Sequence, residues 1–369
     1  MIDAAPSTTA SDLHREIVQA MAERGGWLPF DEFMRLALYA PGLGYYARGQ
    51  PTFGLMPASG SDFVTAPELS PLFGHALARQ VGQALAASAT DTVWEFGAGS
   101  GALAGQLLDA LGAAVRRYVI VDVSGALRAR QQERLARHGA RVEWVDALPE
   151  AMQGVVVGNE VLDAMPVQLV HFDGAAWSER GVAEEGGRFV WRDRPTALRP
   201  PVAAEGEAAF GPGMVTELHG QAQAFVATLA ARLQRGAAFF IDYGFPEAEY
   251  YHPQRSGGTL MCHRAHRADT DPLVAVGEKD ITAHLDFTAL ALAAQDAGAD
   301  VIGYTTQAWF LMNCGLLEDL QDADLRMRAN AQKLLTEHEM GELFKVLAFA
   351  RGPAFEPLGF RRGDRLHTL

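Results

Sequence analysis

Glu95 ends an apolar run and is followed by Gly97, Gly99 and Gly101, then by helix-forming residues 102–108. Glycines at this spacing let the chain turn sharply and let a ligand approach the backbone, and the helix start behind them offers free N–H groups. A nucleoside cofactor fits such a turn. A dinucleotide asks for Gly-x-Gly-x-x-Gly, which Gly97, Gly99 and Ala102 satisfy only loosely, and Glu95 would stand beside pyrophosphate charge. S-adenosylmethionine carries an ammonium and a sulfonium and no phosphate, so the same carboxylate attracts it. The charge argument favours S-adenosylmethionine. A nicotinamide dinucleotide, and a turn that merely packs helix on strand, stay open as alternatives.

Three more apolar runs end in acids: residues 118–121 in Asp122, with Val123 beside it; 141–145 in Asp146 and Ala147; 155–158 in Asn159 and Glu160. In an open α/β sheet ligands bind outside the carboxyl ends of the strands, so Glu95, Asp122, Asp146 and Glu160 are expected to converge on one crevice. Asp122 stands where such a unit puts the acid that holds ribose hydroxyls. Each acid alone could cap a helix, a role that suits Asp146 best. Glu68, inside Thr65-Ala66-Pro67-Glu68-Leu69-Ser70, belongs to a stretch able to cover the crevice; complementing a helix dipole is its other reading.

The elements around these residues follow from periodicity. Residues 11–83 are mostly helical, with Leu13, Ile17 and Met21 at helical spacing, a break at Pro41-Gly42, and a mobile-looking loop at 49–61. Residues 1–83 thus read as an N-terminal helical cap and lid, and 84–369 as the core. An insertion at 167–213 interrupts that core, with short alternating runs that predict antiparallel hairpins and then a loop. Thr216 is expected to cap a helix that Gly236 ends. Further strands are predicted at 238–241, 301–305 and 343–350.

The chain has 31 basic and 45 acidic residues, a formal charge of −14, which argues against a nucleic-acid surface and is compatible with a cationic substrate. Cys262 and Cys314 stand in no metal or redox spacing, so a reducing compartment and a cytoplasmic location are expected. No apolar span is long enough for a membrane helix. His252, Cys262, His263 and His266 are ligand types without a second matched pair, and no metal is expected.

Several strings together resemble one family. They are residues 63–70, the glycine turn, Asn159-Glu160-Val161-Leu162-Asp163-Ala164-Met165-Pro166, Ile241-Asp242-Tyr243-Gly244, Gly258-Thr259-Leu260 and residues 280–287. On these the chain is similar to the MidA-like methyltransferases, across nearly its whole length. The resemblance implies an α/β, class I methyltransferase fold with a Rossmann-like seven-stranded sheet, whose last strand inserts antiparallel. It also implies S-adenosyl-L-methionine as cofactor and symmetric dimethylation of an arginine on a core subunit of the respiratory NADH dehydrogenase, complex I. Relatives often carry Glu where Asp122 stands, and either acid can bind ribose. A homodimer is allowed and not required.

Methyl transfer to a guanidinium needs alignment, exclusion of water, and carboxylates that localise the delocalised charge and accept N–H bonds. Glu160 and Asp163 are the candidates, unless Glu160 holds the cofactor and Asp163 caps a helix. Asp242 with Tyr243, and His284 with Asp286, are further candidates, His284 as a proton acceptor or positioning donor unless it is an ordinary structural histidine. A small-molecule methyltransferase, or an assembly factor that binds the cofactor without turnover, would share the same core.

Overall fold

The computed structural model describes residues 8–48, 65–122, 125–202, 206, 209–264 and 267–369; Val123, His266 and the loop expected at 49–61 lie outside them. In chain order, α1 (Thr8–Glu23), β1 (Leu28–Pro29) and α2 (Phe30–Tyr39) come first, then α3 (Ala66–Leu69) and α4 (Pro71–Ser88). Strands and helices next alternate as β2 (Thr92–Phe96), α5 (Ala102–Leu111), β3 (Arg117–Val121), α6 (Gly125–Leu135), β4 (Val142–Val145) and β5 (Met152–Asn159). β6 (Gln168–Phe172), β7 (Trp177–Glu185), β8 (Arg188–Pro195), β9 (Met214–Leu218) and α7 (Gly220–Arg232) precede the long β10 (Leu233–Phe245). α8 (Glu247–Tyr250), β11 (Met261–Arg264), β12 (Arg267–Asp269), β13 (Asp280–Thr282), β14 (Leu285–Asp286) and α9 (Phe287–Asp296) follow. The last elements are β15 (Asp300–Thr306), α10 (Gln307–Asn313), α11 (Leu316–Asp319), α12 (Leu325–Leu335) and β16 (Phe344–Arg351).

The central sheet runs β15-β16-β10-β5-β2-β3-β4, parallel from β10 to β4, with β16 antiparallel between β15 and β10. An eighth short strand, β14, joins β10 where Gly244 and Phe245 outrun their other neighbours. Side chains alternate: Ala237, Phe239 and Ile241 of β10 enter one core, Ala238 and Phe240 the other. Covered on both faces, this strand reads as an unbroken apolar run. α4 carries Leu72, Phe73, Leu77, Val81 and Leu85 into the first core and α7 carries Val226 and Leu229 into the second. α4 crosses residue 83 and belongs by packing to the sheet, whereas α1 and α2 do not.

Leu13, Ile17, Phe30, Phe33 and Met34 of α1 and α2 instead pack against Val167, Leu169 and Val182 of the insertion. There β1-β7-β6-β9 form an antiparallel sheet, with β8 paired outside on β7. The N-terminal helices and the insertion therefore share a core.

Two expectations differ from the structure here. Thr216 lies inside β9, because residues 214–218 alternate and pair with β6, and the helix begins only at Gly220. Gly236 sits in β10, not at a helix end: its φ is +137° and a Cβ there would stand 1.7 Å from the Gly154 carbonyl oxygen on the neighbouring strand. Gly236 therefore permits close strand approach.

Candidate active site

A cavity of about 880 Å³ opens at the carboxyl ends of β2, β3, β4 and β5. Glu68, Glu95, Gly97, Gly99, Asp122, Asp146, Ala147, Asn159, Glu160 and Asp163 all line it. Gly101, Asp242 and His284 do not.

After β2 the turn takes left-handed values at Gly97, Gly99 and Gly101, with φ of 61°, 51° and 81°. A Cβ on Gly97 would meet Val161 Cγ2 at 2.7 Å, so the loop after β5 closes directly on the turn. Gly101 acts one step back, as the residue that opens α5. Beneath the turn, Glu95 is 2% exposed and accepts the Tyr118 hydroxyl hydrogen at 2.7 Å. Burial pushes its carboxyl up to about 8; the tyrosine works against that shift and the Asp122 charge adds to it.

Gln131 ties the parts together, and the sequence reading missed it. Its Nε2 donates to the Gly99 carbonyl at 3.0 Å and to Asp122 Oδ2 at 2.7 Å, while its Oε1 accepts from Trp144 Nε1 at 2.9 Å. A polar residue in a short, polar helix gives no periodic signal of such a role. Asp146 is largely exposed at the rim and pairs with Arg128, so no helix is capped there. Glu68 bonds to Ser100 Oγ and accepts from Arg134 at 2.8 Å, clasping α3 to the glycine turn where it lines the cavity.

The other half of the cavity is acidic and aromatic. Glu160 has φ of 53°, rare for a residue with a side chain, and accepts from Asn159 Nδ2 at 2.9 Å. Burial, then the charge of Asp242, pushes its carboxyl up to about 8. Asp163, 5% exposed, is shifted upward chiefly by burial, then by Asp242, Asp280 and Glu160. No helix follows β5; Met165 N donates to Leu162 O at 3.1 Å in a turn, so Asp163 caps nothing.

Asp242 lies behind this turn. Its Oδ2 accepts from the amides of Val161, Leu162 and Asp163 at 3.1, 2.9 and 3.3 Å, and its Oδ1 from Tyr243 N at 2.9 Å. It orders the backbone that bears Glu160 and Asp163. His284 stacks on Tyr243, ring centroids 5.8 Å apart, outside the cavity; burial, then Arg255 and Lys345, lower its pKa to about 4. Neighbouring Asp286 caps α9 through Ala289 N. Tyr39, Tyr46 and Asp280 line the cavity and went unassigned in the sequence; Tyr243, a candidate beside Asp242, lines it too. Asp280 was visible inside the 280–287 string, but nothing local says that β13 delivers it to the acids after β5. Cys262 is buried among apolar residues of the cap. Among the described residues no group of three or more His, Cys, Asp or Glu could hold a metal.

The residues suit a sulfonium nucleoside. Gly97 and Gly99 of the turn line the cavity, Glu95 and Asp122 flank it, and Asn159 Oδ1 is buried without a hydrogen-bond partner among the described residues. The strand order, its antiparallel last strand and this crevice define a class I, Rossmann-like methyltransferase. Residues 76–305 match the family model described as "Putative S-adenosyl-L-methionine-dependent methyltransferase", and the chain belongs to that family. A Burkholderia thailandensis protein described as a "likely methyl transferase", crystallised with S-adenosyl-homocysteine, is 52% identical, with a TM-score of 0.94 over 99% of this chain and 100% of its own. The zebrafish (Danio rerio) mitochondrial protein arginine methyltransferase NDUFAF7 is 27% identical, over 93% of this chain and 88% of its own. The human protein of that name is 26% identical, over 86% and 78%. The chain is an S-adenosylmethionine-dependent methyltransferase.

Proposed function

We propose that the chain methylates an arginine side chain of a protein partner, with a subunit of the respiratory NADH dehydrogenase as the candidate substrate. One observation carries this reading: Glu160 and Asp163 stand in the same cavity as the glycine turn. The relatives' names point the same way.

When bound, the cofactor supplies a methyl group on a positively charged sulfur. Glu95, Gly97, Gly99, Asp122, Asp146, Ala147 and Asn159 would hold it, and Glu68 would keep α3 closed over the turn. A guanidinium is a poor nucleophile because its charge is shared over three nitrogens. Glu160 and Asp163 accept its N–H bonds, draw the positive charge toward one side and fix its orientation. Asp242 keeps both acids in place from behind. Tyr39, Tyr46 and Tyr243 wall the acceptor side and exclude water, which lets the carboxylates act at low dielectric. Both acids must be ionised to do so, and an arriving cation lowers their pKa values.

The test is to incubate extract of a deletion strain with purified enzyme and radiolabelled S-adenosylmethionine, then map the label by mass spectrometry. Dimethylarginine on a respiratory-complex subunit is expected, and it should disappear with Glu160→Gln. Label on a metabolite alone would replace this reading with a small-molecule methyltransferase. Binding without turnover would leave an assembly factor. The cytoplasmic location belongs to the same proposal and is checked by fractionation, since the relatives named above are mitochondrial. Among the described residues no helix is long and apolar enough to cross a membrane. Light scattering on the purified chain decides whether a homodimer forms.

A further inference from the structure

The acceptor side of the cavity holds a carboxylate beyond the two after β5. Asp280 opens β13, is 3% exposed and lines the cavity with Glu160 and Asp163. Three contacts tie it to them. Tyr46 donates its hydroxyl hydrogen to Asp280 Oδ1 at 2.8 Å. Tyr39 donates to the carbonyl of Ala164, next to Asp163, at 2.9 Å. The two tyrosine rings stack, centroids 5.6 Å apart and 20° from parallel. The stack is a rigid spacer with one hydroxyl on Asp280 and the other on the chain beside Asp163. From the opposite direction, Ala283 N donates to the Asp163 carbonyl at 2.9 Å, fastening the end of β13 to the same turn.

A buried carboxylate is costly and is kept where it is satisfied or used. Asn159 lines the same cavity and donates to Glu160, tying the cofactor side to the acids. Three carboxylates lining one cavity, Glu160, Asp163 and Asp280, suit a ligand rich in N–H donors. A guanidinium presents five N–H groups in one plane, whereas an ammonium presents three at a point. One carboxylate in a bidentate contact takes two N–H groups, so a planar cation with five rewards several acceptors held at fixed spacing.

Resting on the reading that the acceptor is a cationic side chain, we propose that Asp280, oriented by Tyr46, is a specificity-determining carboxylate that selects guanidinium over ammonium. Asp280 touches the acceptor; Tyr39 and Tyr46 are positioning residues that set its distance from Asp163.

The experiment titrates full-length protein, saturated with S-adenosyl-homocysteine, with N-ethylguanidinium chloride or propylammonium chloride, followed by ligand-observed NMR. The wild type is expected to bind the guanidinium at least about tenfold more tightly than the ammonium, a difference of about 1.4 kcal/mol. Asp280→Asn should remove that preference, Asp280→Glu restore part of it, and Tyr46→Phe weaken it less. S-adenosyl-homocysteine affinity should stay within about twofold throughout, which certifies folding and separates acceptor selection from cofactor binding. In extract labelling, Asp280→Asn should raise KM for the protein acceptor more than it lowers kcat. Unchanged selectivity and KM in Asp280→Asn, with a wild type that labels arginine, overturn the role of Asp280 and leave the arginine reading standing. A wild type that binds neither cation and labels no arginine overturns both. If Asp280→Asn loses S-adenosyl-homocysteine, Tyr46→Phe decides alone, and an unaltered guanidinium preference there sinks the proposal.

Discussion

Asp242 Oδ2 accepts the amide hydrogen of Leu162 at 2.9 Å, joining the end of one central strand to the turn that follows its neighbour. The flanking amides of Val161 and Asp163 share the same oxygen, so one carboxylate orders the turn that carries Glu160 and Asp163. Asp242→Ala leaves buried amides unmatched and should cost about 2 kcal/mol or more, with a loss of methyl transfer. Asp242→Asn keeps an accepting oxygen and should cost less. Thermal denaturation of both variants checks the order; equal stability would show that the carboxylate does not hold the turn.

Gly97→Val should lower affinity for S-adenosyl-homocysteine by about 100-fold or more, near 2.7 kcal/mol, measured by calorimetry. The new side chain meets Val161 and must also adopt a φ of 61°. Adding Val161→Ala relieves the collision and not the backbone strain, about 1–3 kcal/mol, so rescue should be partial. Full rescue would mean that crowding alone makes glycine necessary.

Glu160 gives a pH dependence with a definite sign. Burial raises its carboxyl from the ordinary 4.5 to about 8, so the ionised acid opposes folding and stability is lost as pH rises from the lower value through the higher. Glu160→Gln should melt above the wild type at pH 8 and match it below pH 4.5. Activity should move the other way, with kcat/KM rising with pH toward a limb near 8, since the acceptor clamp needs the charge. A flat stability difference between the two proteins across that range would contradict this account.

Glu68 reads as a latch. It holds α3 to the glycine turn through Ser100 and Arg134, and Asn330 reinforces that end by donating to the Leu69 carbonyl at 2.8 Å. Glu68→Gln weakens the charged contact and should speed S-adenosyl-homocysteine dissociation by about threefold to tenfold. Stopped-flow release kinetics would show it, and an unchanged rate would remove the gating role.

His284 should tolerate change. A proton acceptor must reach the proton it takes, and this ring lies outside the cavity, stacked on Tyr243 and pushed toward the neutral form by its surroundings. His284→Gln should keep kcat within about threefold, with an unaltered pH profile and a lower melting temperature. A new pH dependence in that variant would return it to the chemistry.

The parallel strands and the glycine turn were legible in the chain because local patterns specify them: unbroken apolar runs between helical periods, each ending in an acid, and glycines where φ must be positive. Hairpins at 167–195 were legible for the same reason, through alternation and turn residues. The helix at 220–232 was legible too, but not its ends, expected at Thr216 and Gly236, since pairing with β6 claims the first of these residues and close approach to Gly154 explains the last. Such requirements come from partners distant in sequence.

The site divides along the same line. Glu95, Asp122, Asn159 and Glu160 announce themselves at strand ends, and their charge and order by themselves pointed to the kind of cofactor. Tertiary structure alone decided that Asp242 faces backbone amides, that Gln131 couples Gly99 to Asp122, and that Asp280 comes from β13 to meet Asp163 across a tyrosine stack. The physical reason is range. A strand end is defined by its own residues, whereas whether a carboxylate bonds an amide, another side chain or an arriving cation depends on which segments the folded chain packs against it.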